Sequence, residues 1–277
     1  MEIAVPAPEE LIGFMDLYLG ALAKGEPSLL PAAPDLKYTE NCQQLRPGQG
    51  IWKTVRDKMG GQYLTDAVAG QVAFFGVVTE LEKPALIATR LKVNDGRISE
   101  IENLVVRQGS IIFSPETSNA PRPHFEETLA PAERIGREQL ARIPHLYLDA
   151  ITADDGSELP VRDDCIRVEN GIQTTCNPEA QIEAGKMGVR EQIDKRYTRH
   201  IAGGGERRIW VLDEERGMSV AFFFFDHPGN LESVNGRVPF GYPNYMPAAE
   251  IFKTRNGQIE RIEAIIDIYQ YGIKSGW

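Results

Sequence analysis

The chain has 277 residues, 42% of them hydrophobic, and carries 30 basic against 40 acidic side chains for a net charge of −10. That length and apolar content exclude an intrinsically disordered chain and allow two domains, each with its own core. Neither half is basic, which argues against a nucleic-acid or anionic-membrane surface.

The first ten residues hold three glutamates and two prolines, with no basic residue before Lys24, unlike a secretory signal. The longest apolar blocks, 72–78 and 220–225, are far below the roughly 20 residues of a membrane-spanning helix. Cys42, Cys165 and Cys176 are odd in number and lack CxxC spacing, so a reduced, cytoplasmic setting is expected.

From 8 to 23, apolar residues recur at Leu11, Ile12, Met15, Leu19 and Leu22, behind Glu9 and Glu10 and ahead of Gly25. This spacing predicts an amphipathic helix. Residues 29–44 read as a proline-punctuated approach to a short strand. The glycine-rich stretch 48–55 lacks the Gly-Lys-Ser/Thr ending of a phosphate-binding loop. Strands are expected at 63–66, 72–81, 86–93 and 98–106, with turns at Gly70 and at Asn94-Asp95-Gly96, a strong hairpin signal. The proline-rich residues 114–131 read as a linker between domains 1–113 and 132–277.

The second half repeats the plan. A helix is expected over 133–150, broken or kinked at Pro144, then strands at 166–168, 208–213, 218–226, 250–254 and 259–269, with Gly203-Gly204-Gly205 as a flexible loop. Tyr18 and Tyr147, each opening a Tyr-Leu-x-Ala run, lie 129 residues apart, as do Glu40 and Glu169. Gly70 and Gly217 are 147 apart, Gly96 and Gly257 161 apart. One α+β fold is therefore written twice. The growing offsets place insertions at 173–207 and 227–247, where binding walls are usually built.

Several side chains could carry chemistry. Arg90 and Lys92 share one face of a strand, where two cations could meet an anion or phenolate; with Glu100 and Glu102 they could equally form a cross-strand ladder. Glu40 and Glu169 hold equivalent places, and a carboxyl desolvated in an apolar site can serve as acid or base. Glu-Asn before a turn can instead bond local backbone. Two residues before each glutamate the copies differ, Tyr38 against Arg167. Asp226-His227 ends the most apolar strand and could transfer protons, although neighbours in a strand face opposite ways. Tyr242 and Tyr245, in a proline-stiffened aromatic loop, could stack a flat substrate or cover a subunit interface. His124, His145 and His200 are isolated, so no metal site is expected.

Tyr38-Thr39-Glu40-Asn41, Arg90-Leu91-Lys92-Val93 with Gly96 to Glu102, Cys165-x-Arg167-x-Glu169-Asn170-Gly171, Asp226-His227-Pro228-Gly229, Ala249 to Lys253 and Tyr271-Gly272 together carry a resemblance. In these the chain resembles the nuclear transport factor 2-like (SnoaL-like, ketosteroid-isomerase-like) superfamily in tandem form. Within it, the chain is similar to the sphingomonad diarylpropane lyases. The resemblance implies two cones, each a curved antiparallel sheet wrapped on helices around an apolar pocket, and a homo-oligomer. It implies a carbon–carbon lyase with no cofactor, taking a lignin-derived aromatic diol to a stilbene with loss of formaldehyde. Glu40, Tyr38 or His227 would be the acid, Arg90 and Lys92 would hold a phenolate, and Glu102, Arg167, Tyr242 and Tyr245 would line the substrate. An isomerase or dehydratase, or a non-catalytic binding or oligomerisation module, are the alternatives.

Overall fold

The computed structural model describes residues 6–233 and 238–277, so Met1–Val5 of the acidic start and 234–237 of the second insertion lie outside the described residues. The chain divides into two units, one of residues 1–109, 113–126 and 274–277 and one of 110–112 and 127–273.

In the first unit, helix α1 (Pro8–Lys24) starts with proline in its first turn and stops at Gly25, whose left-handed backbone lets its N–H reach the carbonyl of Leu22. It buries Leu11, Met15, Tyr18, Leu19 and Leu22, with Ile12 at the margin. This face packs on a six-stranded sheet made of β1 (Ala32–Glu40), β2 (Gln43–Leu45), β3 (Val55–Asp66), β4 (Gln71–Glu80), β5 (Lys83–Asn94) and β6 (Arg97–Val106). The order is β2-β1-β6-β5-β4-β3, and β1 runs parallel to β6 while the other neighbours are antiparallel. A short helix, α2 (Pro123–Glu126), follows.

The second unit carries α3 (Arg137–Ala153), β7 (Val161–Glu169), β8 (Ile172–Gln173), α4 (Glu183–Lys186), α5 (Val189–Asp194), β9 (Gly203–Asp213), β10 (Met218–His227), β11 (Asn244–Arg255), β12 (Gln258–Ile266) and β13 (Tyr269–Gln270). Its order, β8-β7-β12-β11-β10-β9, repeats that of the first sheet, with β13 added on β11. Each unit is thus an α+β layer of one long helix on one twisted sheet.

The asparagine of each Glu-Asn pair has the same structural task. Asn41 and Asn170 both take positive φ, and each side chain bonds both backbone groups of one residue in the last strand, Val105 for Asn41 and Ile266 for Asn170. This closes the parallel pair where the chain leaves the sheet.

Three expectations need correction. α3 runs unbroken through the buried Pro144 to Ala153. Gly203-Gly204-Gly205 is not a loop but the start of β9, and a Cβ on Gly204 would come within 3.0 Å of Leu148, so glycine lets the helix lie close on the strand. Residues 274–277, expected with the second domain, belong to the first unit. The Trp277 indole N–H donates to Thr39 Oγ1 at 2.9 Å, and its ring lies 4.2 Å from Lys37 Nζ and 4.5 Å from Arg90 Cζ.

Candidate functional site

Register decides which side chains meet. Residues directly opposite across a ladder share a face, so the row Glu169, Ala264, Glu250, Ala221 runs across β7, β12, β11 and β10 on one side of the second sheet. Arg167, two residues before Glu169, shares that side. So do Phe223 and Phe225 of β10 and Met246, Ala248 and Phe252 of β11, which build the unit's core, and His227 at the end of β10.

On this face opens a cavity of about 1200 Å³, lined by Tyr147, Arg167, Glu169, Phe225, His227 and Met246 on the sheet and helix side. Its other wall comes from both insertions, with Thr174, Gln192, Thr198 and His200 from the first and Phe240 from the second. The lining is mainly apolar with a few converging polar groups, the usual make-up of a small-molecule site.

The polar end is built around Arg167. Its guanidinium donates to Thr174 Oγ1 at 3.0 Å, Tyr147 Oη at 3.1 Å and Gln192 Oε1 at 2.7 Å, and it pairs with the Glu169 carboxylate at 3.1 Å. Gln192, on α5, is itself anchored by donating to the carbonyls of Thr174 and Ala184. Each of the three guanidinium nitrogens has a partner, so the cation and the carboxylate beside it are held in one geometry. Burial raises the Tyr147 phenol well above its usual range, keeping it protonated. Its oxygen accepts from Arg167, which leaves its own proton to donate.

Glu250 completes the group. It is 0% exposed, and neither carboxylate oxygen has a hydrogen-bond partner. Burial first, and then the charge of Glu169, push its pKa up to about 8 against the opposing pull of Arg167. Near neutral pH it therefore keeps its proton, whereas Glu169 is the carboxylate that Arg167 pairs. Two carboxyls with environments this different are an acid and a base in waiting.

The same row in the first unit is closed. Register aligns Glu40, Asn103 and Thr89 with Glu169, Ala264 and Glu250. Asn103 donates to Tyr18 at 2.8 Å and accepts from Thr89 at 2.7 Å, and Glu40 accepts from Tyr38 and from the N–H of Ile51, both at 2.9 Å. A Cβ at Gly50 would overlap Glu40, so the carboxyl is walled in by backbone. Burial raises the Glu40 pKa. Its row is a satisfied core network; replacing Asn103 by Ala264 and Thr89 by Glu250 is what leaves the second unit open and acidic.

The predicted residues are accordingly dispersed. Tyr38 and Glu40 meet each other but line the core of the first unit. Arg90 and Lys92 are on the opposite face of that sheet, because Leu91 and Thr89 take the core side; there they pair with Glu100 and Glu102, which stand directly across the ladder. They form the salt-bridge ladder, and the expected cationic site beside Tyr38 and Glu40 does not form. Asp226 and His227 also part: His227 lines the cavity, whereas Asp226 lies opposite Tyr245 on the other face. Tyr245 packs on Phe224 and Tyr271, and Tyr242 is exposed, so neither borders the cavity; Phe240 of the same loop does. Arg167 alone of the expected substrate-binding residues reaches it, joined by His227 of the expected catalytic ones. Glu250 and Tyr147 were missed as site residues. The signal that finds Glu250 is a lone carboxylate among Met246, Ala248 and Phe252 on the inner face of its strand. Among the described residues, no three His, Cys, Asp or Glu side chains are grouped to hold a metal ion. No described helix is long and apolar enough to cross a membrane.

Residues 133–266 match a family model described as a domain of unknown function, DUF8021. No curated protein matches the chain. Among solved structures, a de novo designed protein with a curved β-sheet is similar at 12% identity over 48% of this chain and 88% of its own, with a TM-score of 0.32. PrhC from Penicillium brasilianum is similar at 16% identity over 47% and 82%, with a TM-score of 0.30. A steroid delta-isomerase from Pseudomonas aeruginosa is similar at 15% identity over 38% and 85%, with a TM-score of 0.27. Each spans less than half of this chain, and at these scores the likeness carries no functional information.

Proposed function

We propose that the second unit is the working half of a tandem nuclear transport factor 2-like enzyme, which moves protons on an apolar, ring-bearing molecule without a cofactor. The observation that carries this reading is the Arg167-held Glu169 carboxylate in the wall of a large apolar cavity, with a proton-bearing, unpartnered Glu250 buried on the same row of the sheet. Glu169 takes a proton from a carbon next to a carbonyl, the electron pair passes to the carbonyl oxygen, and the Tyr147 hydroxyl stabilises that oxygen by donating to it. Return of the proton to a different carbon yields the isomer; delivery of the same proton from Glu169 to a neighbouring hydroxyl, which leaves as water, yields the dehydrated product. Arg167 and Glu250 act as positioning groups. As Glu169 gains its proton, the charge that raises the Glu250 pKa disappears, so the two carboxyls share protons as a coupled pair.

The cleavage of a lignin-derived diaryl diol is a narrower form of the proposal with its own steps: the benzylic hydroxyl leaves as water to give a quinone methide, a base takes the proton of the primary hydroxyl, and the carbon–carbon bond breaks to release formaldehyde as its electron pair forms the stilbene and restores the phenol ring. In it, Arg167 would take the phenolate-holding part that Arg90 and Lys92, on the far face of the other sheet, cannot play.

Exchange of α-protons for deuterium in a panel of multi-ring ketones tests the reading. Wild-type protein is expected to catalyse exchange, and Glu169→Gln to slow it by roughly 10²–10⁴, the usual worth of a positioned base. Equal exchange by the variant would overturn the assignment, and formaldehyde release from a diaryl diol would select the narrower form.

A further inference from the structure

The opposite end of the cavity holds a second polar group that the chemistry above does not use. His200 and His227 stack with ring centroids 5.3 Å apart, and Phe240 lies edge-on to His227 at 4.8 Å. His227 is buried, faces Asn244 across the β10–β11 ladder, and its Nδ1 has no hydrogen-bond partner. Nor has Thr198 Oγ1. Thr198, His200 and His227 line the cavity; Asn244 does not, and faces His227 as its acceptor, while His200 bonds the backbone of Tyr197. Buried polar atoms without partners at one end of an apolar cavity cost stability unless something bonds them. Burial and the neighbouring His200 lower the His227 pKa to about 3, so the rings are neutral and each can offer one donor and one acceptor.

We propose that Thr198, His200 and His227, with Asn244 orienting His227, form an anchor for a hydroxyl group, so that the substrate is an elongated apolar molecule oxygenated at both ends. A hydroxyl both donates and accepts, as this set requires: a neutral imidazole offers one donor and one acceptor, and Thr198 can donate. Glu250 and Asn244 are six residues apart on β11, roughly 20 Å of strand at about 3.4 Å per residue, which suits a molecule of two or more rings. Between the ends the wall is Phe225, Met246 and Ile266, which would take the apolar middle. This inference rests on the acid–base reading for what happens at the Arg167 end, but the anchoring is measured by binding alone.

The test is calorimetric titration with para-terphenyl carrying a para hydroxyl at both ends, long enough for its oxygens to approach both polar groups, and with the singly hydroxylated counterpart. Wild-type protein is expected to prefer the doubly hydroxylated probe by about fivefold to tenfold, the worth of one or two net hydrogen bonds. His227→Phe and the double variant His200→Phe/Asn244→Leu should bring that ratio to about one while retaining affinity for the singly hydroxylated probe. An unchanged ratio in both variants, equal affinities in the wild type, or binding of neither probe would each overturn the anchor. Glu40→Gln, in the core of the other unit, should keep the preference. If exchange chemistry fails in every protein while the preference holds, the acid–base reading falls and the anchor stands.

Discussion

Glu250 is a carboxyl kept protonated by its surroundings, and the sign of its effect on stability follows. Its pKa rises from an ordinary 4.5 to about 8 on folding, so between those values the unfolded chain releases a proton that the folded chain retains. Its contribution is fully present below pH 4.5 and is lost as pH climbs through about 8, a loss on the order of 5 kcal/mol over the window. Glu250→Gln removes the titration. Denaturant melts of the variant should show higher stability than wild type at pH 8 and little difference at pH 4, and parallel profiles for the two proteins would contradict a buried, proton-bearing Glu250. The sequence reading reached Glu169 and Arg167 because they recur or differ between the copies at a fixed offset. It passed over Glu250 because the counterpart is Thr89, a residue type that carries no chemical signal.

At the scale of elements, the cavity depends on how α5 is docked. Gly188 precedes it, and a Cβ there would stand 2.7 Å from the carbonyl oxygen of Asp163 on β7, so only glycine allows the helix to approach the strand. α5 carries Gln192, the acceptor for Arg167 and the tie to Thr174 and Ala184. Gly188→Ala is expected to cost about 1–3 kcal/mol through overpacking and to weaken binding of the singly hydroxylated terphenyl by at least as much as it weakens stability. Unchanged affinity would mean that α5 does not shape the Arg167 end. The elements legible in the sequence were those with a strong period or a turn signal: α1 by its helical stripe, β5–β6 by Asn94-Asp95-Gly96. The first part of β3 was missed because Arg56, Asp57, Lys58, Gly60 and Gly61 give no alternation. The first part of β9 was missed for the same reason, since its three leading glycines serve close packing rather than flexibility.

For the molecule as a whole, the two units have the same strand order and opposite solutions at the same row. Glu40→Gln is expected to lower stability, since Glu40 accepts from Tyr38 and Ile51, yet to leave proton exchange within about twofold of wild type. Glu169→Gln should do the reverse. Loss of exchange in both would mean that both units take part. By itself the sequence determined the α+β class, the duplication, the insertions in the second copy and the residues at which the copies diverge, because periodicity, turn chemistry and repeat spacing are local properties of the chain. Which faces Arg90, Asp226 and Tyr245 take, that Ala264 leaves open what Asn103 closes, and that Glu250 is buried beside Arg167 were decided only by tertiary structure. Strand register and the walls packed on the sheet fix what lies opposite each side chain, and the environment so made, rather than residue type, sets whether a carboxyl is core, ladder or acid.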